Sequence, residues 1–240
     1  MTERTHPGSI DNTQPGVSRG LCVADMIKLA DEAYRRRGDI TAGSCAREIE
    51  RWFETGDSYE LRWRLSRGLF VEGEQYPQAY ARGAVHGRRA IKLNGGAVEG
   101  YFWTGVNLAL HAQARRGPRG VLALFEARRA LRQACRISEG YHGAGPLRVL
   151  GRLEHKCPKI LGGSLRRSLS YYERALAIAP TNTVTLIYAA ELEIERQDCS
   201  KAAGLLDKVL SLPIDPDWEF ENIRDKTLAK SMLKMCGRTR

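Results

Sequence analysis

From about residue 23 onward, apolar residues return every three or four positions, the period of a helix that buries one face. The clearest run is Leu165, Leu169, Tyr172, Leu176 and Ala179, with Arg166, Arg167, Glu173 and Arg174 elsewhere around the wheel. Ser164, behind Gly162 and Gly163, is placed to cap its start, and Pro180, which has no amide hydrogen, ends it. The same period puts Ile187, Ala190 and Ile194 on the next helix. Ala202, Leu205, Leu206, Val209 and Leu210 follow on another, which stops at Pro213. Upstream, Asp57 and Glu60 have the spacing of a capping box ahead of Leu61, Leu65 and Leu69. Alternating β-branched runs, the mark of strands, are missing. The pattern predicts helices at about 23–37, 41–54, 58–72, 77–93, 98–115, 118–137, 146–156, 164–179, 183–197, 200–212 and 217–235.

Each of these helices is too short to bury enough surface alone, and the connectors are brief. Sequential pairing into hairpins satisfies both facts. The expected fold is all-α, a superhelix of about five helical hairpins over residues 21–236. A superhelix of this kind presents a concave face for binding. Residues 1–20, rich in Thr, Pro, Gly, Ser and Asn, are expected to be a disordered tail, and 237–240 a short basic one.

Composition narrows the function. A hydrophobic share of 42% fills a core, while 28% charged residues and apolar stretches no longer than Val121–Phe125 exclude a membrane span of ~20 residues. Met1 to Gly20 has no apolar signal region, so the expected compartment is the cytoplasm. Six cysteines stand singly, with no Cys and His at zinc-ligand spacing, so no metal or cofactor is expected. The net charge is +10, with arginines grouped at 35–37, 88–89, 115–116, 128–132 and 166–167. Each group reads first as a solvated helix face, while the total excess favours an acidic partner.

Helix ends share a form: RRAIKLNG (Arg88 to Gly95), ERALAIAP (Glu173 to Pro180) and DKVLSLP (Asp207 to Pro213). Ala175 lies five residues before Pro180, Tyr172 takes an aromatic slot, Ser168 a small one, and Leu150–Gly151 looks like the Leu-Gly pair of a partner helix. These match the tetratricopeptide (TPR) pattern, except that Cys157 to Gly163 lengthens the inter-helix turn. The chain therefore resembles two divergent TPR-like groups. LADEAYRRRGD (Leu29 to Asp39), ELRWRLSRG (Glu60 to Gly68) and YARGAVHGRRAIKLN (Tyr80 to Asn94) resemble the regulator of microtubule dynamics family. GYFWTGVNLA (Gly100 to Ala109), the stretch from Leu147 to Pro180 with its Gly162–Gly163 insertion, and DPDWEFENIRDKTLAKSML (Asp215 to Leu233) resemble the TRAP transporter T-component family. The resemblance implies an α-helical repeat that binds other proteins or a hydrophobic ligand. It carries the fold over better than the function.

Candidate contacts are few. Tyr101, Phe102, Trp103 and Asn107 combine ring area with an amide that would orient a polar group in a cavity, against the simpler reading of hairpin core. Trp63, flanked by Arg62, Arg64 and Arg67, would stack and pair with an anion, against a ring that packs inward while the arginines meet water. Gly143, Gly145 and Gly151 are no dinucleotide fingerprint, since Arg148 stands where the third glycine belongs; Arg148 joins the candidate contacts. Gly143 and Gly145 read instead as a flexible turn ahead of Pro146. Glu219, Glu221, Arg224 and Asp225 read as a surface salt-bridge network. The function expected is a non-catalytic repeat that takes a protein or peptide on its concave face. The alternative is a hydrophobic small molecule or lipid in an internal tunnel, and behind it an enzyme with a spatially assembled site. No nucleic-acid motif is present, and homo-oligomerisation is left open.

Overall fold

The computed structural model describes residues 22–38, 50, 57–115 and 117–238. The tail at 1–20, the helix expected at 41–54 (Glu50 apart) and residues 239–240 lie outside them. The described residues form ten α-helices, with no strand among them. They are α1 Val23–Arg35, α2 Tyr59–Gly73, α3 Ala79–Leu93, α4 Val98–Ala114, α5 Pro118–Ile137, α6 Tyr141–Lys156, α7 Leu165–Ile178, α8 Thr183–Glu195, α9 Cys199–Ser211 and α10 Glu219–Arg238. Short 3-10 turns at Lys159–Leu161 and Pro216–Trp218 precede α7 and α10. Among these residues no helix is long and apolar enough to cross a membrane.

The pairs α2/α3, α4/α5, α6/α7 and α8/α9 are hairpins, and α1 packs on α2. The first members also pack on one another in order, α2 on α4, α4 on α6 and α6 on α8, with α10 on α8. They form an inner layer, and α3, α5, α7 and α9 an outer one. Sequence explains the division. Inner helices α4 and α8 bury nearly unbroken runs, from Phe102 to Leu108 and from Thr183 to Ile187. Such helices need neighbours on several sides. Outer helix α7 buries only Ser168, Tyr172 and Ala175, and α5 a stripe from Ala123 through Ala127 and Leu131 to Ala134.

Small residues set how closely a hairpin closes. In α6/α7 the Ser168 hydroxyl donates to the Gly151 carbonyl at 2.8 Å, and a Cβ on Gly151 would stand 2.5 Å from the Tyr172 ring. The α2/α3 hairpin uses the same device: Ser66 donates to the Gly83 carbonyl at 2.8 Å, and Gly73 faces the Tyr80 ring. The inserted turn before α7 needs its glycines for two reasons. Gly162 has φ +82, and a Cβ on Gly163 would overlap the Cys157 carbonyl. Ser164 caps α7 by accepting from the Arg167 amide at 3.3 Å, and the helix closes at Ala179, just ahead of Pro180.

Three expectations are corrected. Asp57 and Glu60 form no capping box: Ser58 occupies the cap, Asp57 pairs with Arg62 at 2.6 Å and with Arg89, and Glu60 accepts from Trp63 Nε1 at 3.0 Å. Charge-assisted bonds to guanidinium outcompete a neutral cap amide. Leu165 stays 38% exposed, because the buried stripe of α7 begins a turn later. The arginine groups are not simply solvated faces. Arg37 and Arg128 are buried, and Arg128 donates to the Leu161 carbonyl at 2.5 Å while facing Glu154 at 3.5 Å.

Gly151→Ala is expected to destabilise the protein by about 1–3 kcal/mol through overpacking against Tyr172. Gly204→Ala, on α9 with nothing within 4 Å of its added Cβ, is expected to stabilise it by up to about 1 kcal/mol. Denaturant unfolding of the two variants reads both; equal effects would contradict the close approach of α6 and α7.

Candidate functional site

The face of α6 that carries Arg148, Val149, Arg152 and Leu153 and the face of α4 that carries Phe102, Trp103, Val106 and Leu110 flank a cavity of about 670 Å³. Phe70 of α2, Val184 and Tyr188 of α8, and Trp218 complete much of its wall. The i, i+4 spacing of Arg148, Arg152 and Lys156 runs the length of α6, so the cavity follows the inner helices. Its middle is apolar and its ends are polar.

One end is built from residues remote in sequence. Tyr34 of α1 sets its ring edge against Trp103, with centroids 5.7 Å apart, and its hydroxyl shares a 2.8 Å hydrogen bond with His142 Nε2. Arg37, just past α1, donates to Glu221 of α10 at 2.7 Å and to the Asp217 carbonyl at 2.8 Å. The first and last described helices thus meet across the cavity end. Of the expected surface network, Glu221 and Asp225 are therefore drawn inward, while Glu219 and Arg224 stay exposed. Asp225 is wholly buried, accepts from Thr183 Oγ1 at 2.7 Å and pairs with Arg224 at 2.8 Å. Burial pushes its carboxyl above the usual range.

His142 sits in a backbone anomaly. His142, Gly143 and Ala144 have φ of 53, 62 and 58, three left-handed residues in a row, before the regular helix resumes at Gly145. Each non-glycine residue there costs roughly 1–2 kcal/mol. Arg148 holds the turn, donating from Nη1 to the Gly143 carbonyl at 2.7 Å and from Nη2 to the His142 carbonyl at 3.3 Å. The sequence suggested a flexible turn here; it is pinned. The His142 ring lies 4.8 Å from Trp218, 5.3 Å from Trp103 and 5.4 Å from Phe102. Loss of hydration in this nest, with Arg148 and Arg37 close by, lowers its pKa to about 3, so it is neutral near pH 7.

Of the residues proposed from sequence, the structure brings Phe102, Trp103 and Arg148 to the cavity wall. Trp103 is fully buried, and its Nε1 donates to the Tyr141 hydroxyl at 3.2 Å. Asn107 faces the other way. Its Nδ2 donates to the Ser66 and Trp103 carbonyls, both at 2.9 Å, which ties α4 to α2. Tyr101 packs on the core outside the cavity. Arg62 bonds Asp57 and His86 away from it. Trp63 is buried between Arg64 and Arg67, whose guanidinium carbons lie 4.1 and 4.9 Å from its ring. Those arginines do not point to water: Arg64 and Arg67 reach Asp31 at 2.9 and 2.6 Å. Tyr34, Phe70, His142 and Trp218 were missed, because only the tertiary fold brings them together.

Stacked hairpins around an inner cavity define a TPR-like helical-repeat protein. A sequence profile described as TRAP transporter T-component matches residues 66–237, and the chain belongs to that family. Among solved structures, a thermophilic TPR protein of Thermus thermophilus is similar, with a TM-score of 0.66 and 18% identity over 88% of this chain and 98% of that one. At that identity the likeness speaks for the fold. Comparison with curated proteins gives no match.

The lowered pKa of His142 has a thermodynamic consequence. The unfolded chain takes up a proton near pH 6.5, which the folded chain refuses until about pH 3, so stability falls as pH drops through that window. By pH 5 the loss from this group is roughly 1–2 kcal/mol. His142→Asn, which tolerates left-handed backbone, is expected to flatten the dependence of Tm on pH between 7 and 5 relative to the parent. An unchanged slope would show that the ring is hydrated and titrates normally.

Proposed function

We propose that this protein is a non-catalytic binding protein that holds a small apolar or amphiphilic molecule between its inner helices. The observation that carries this reading is the wall of the cavity: Phe70, Phe102, Trp103, Val106, Leu110 and Leu153 converge on one space of about 670 Å³. Small-molecule sites of this kind measure about 300–1,000 Å³, are mostly apolar, and carry a few placed polar groups. The family name attaches such proteins to a transporter, where holding a solute is a useful task. A peptide laid along an open concave groove, the reading that repeat architecture first suggests, is less well served. Tyr34 and Arg37 span one end, so a chain would have to bend around them.

The test is native mass spectrometry after incubation with a series of straight-chain alcohols. A one-to-one complex is expected, and Ala109→Trp, which grows into the cavity from α4, is expected to abolish it while leaving Tm within a few degrees. Absence of any adduct, or equal uptake by the filled variant, would sink the reading.

A further inference from the structure

Arg148 does more than pin a turn. It is 5% exposed, lies on the cavity wall, and has no carboxylate within 4 Å among the described residues. A guanidinium buried without a direct ion-pair partner is an expensive arrangement, because its lost hydration is not repaid by a paired carboxylate. Its present partners are all neutral: the Gly143 and His142 carbonyls and Asn182 Oδ1, the last at 3.3 Å. Three of its five N–H groups are used, two on Nη1 and one on Nη2. The Nε hydrogen and the second Nη2 hydrogen remain without a partner among the described residues. Nε and Nη2 form the edge of a guanidinium that accepts both oxygens of a carboxylate.

No surrounding carboxylate pairs with it directly: Glu221 and Asp225 act on it only through space. Of the charged side chains on the wall, Arg115, Arg148, Arg152, Lys156 and Arg224 are cations and Glu221 is the one carboxylate. Glu221 is engaged by Arg37, Arg224 faces Asp225, and Arg152 and Lys156 share Glu191. The neighbouring His142 ring is neutral and offers no negative charge. Trp218 lies beside the guanidinium, 5.5 Å from ring centre to Cζ.

We propose that the free edge of Arg148 receives the carboxylate of an amphiphile whose apolar tail runs between α4 and α6. The assignment rests on the cavity being a ligand site and adds the chemistry of the ligand's head. It also accounts for the three left-handed residues, which present two consecutive carbonyls to the guanidinium and so fix which edge stays open. The tail then runs past Trp103 and meets Val106, Leu110 and Leu153.

Trp103 and Trp218 both lie on the wall, so tryptophan fluorescence reports occupancy. The measurement is titration with decanoate and with decanol at pH 7.5, which differ in the head alone. A charge-assisted bond is worth about 1.5–3 kcal/mol, so decanoate is expected to bind at least about tenfold more tightly than decanol. Arg148→Met is expected to bring the two affinities together, and Arg148→Lys, a point charge without the fork, to cut the preference several-fold. Equal affinities in the unaltered protein overturn the carboxylate assignment and leave the cavity reading standing. Full preference in folded Arg148→Met or Arg148→Lys overturns it as well. Binding of neither probe overturns the cavity reading itself.

Discussion

The architecture depends on one constraint: the inner helices are apolar on more than one side. Helix α4 buries Phe102 through Leu108 without a break, so no single partner can cover it. One side packs on α5, another on α2 and α3, and the side with Trp103 and Val106 is left facing inward. An amphipathic outer helix such as α7 has no such surplus. The hydrophobic effect then requires that the inward faces be brought together, and the superhelix curves around the space between them. A cavity, in this view, is what remains when inner helices carry more apolar surface than their neighbours can cover.

The polar end is a separate construction. Without α1 the cavity would lose Tyr34 and the Arg37 contacts with Glu221 and Asp217 that hold the two ends of the repeat array together. Pinned left-handed residues, a neutral histidine among aromatic rings and an arginine without a carboxylate cluster within a few residues of one another on α6. Strain and unpaired charge are both unfavourable for folding, and their concentration at one cavity end argues for a purpose other than stability.

Much of the fold was legible in sequence because it follows local rules. The period of Leu169, Tyr172 and Leu176, the Ser164 cap and the Pro180 stop each act within one turn, and all appear where the chain predicts them. The Asp57–Glu60 box failed for the opposite reason: Arg62 reaches Asp57 from the following turn and Arg89 from another helix, and spacing alone cannot weigh that competition. The site was half legible. Trp103 was found as part of an aromatic cluster, but Asn107, four residues on, turns to α2. Arg148 was noticed for what it displaced from a glycine motif, and its significance comes from a burial that sequence does not display. Tyr34, His142 and Trp218 converge from three distant segments, and no pattern along the chain announces such a meeting.

The most direct test of the central claim is a crystal structure of the protein grown with 10-bromodecanoate, with the bromine located by its anomalous scattering. A bromine peak is expected among Val106, Leu110 and Leu153, with the carboxylate on the Nε and Nη2 edge of Arg148. A peak confined to the outer helices, or a cavity holding only water at saturating probe, would contradict it.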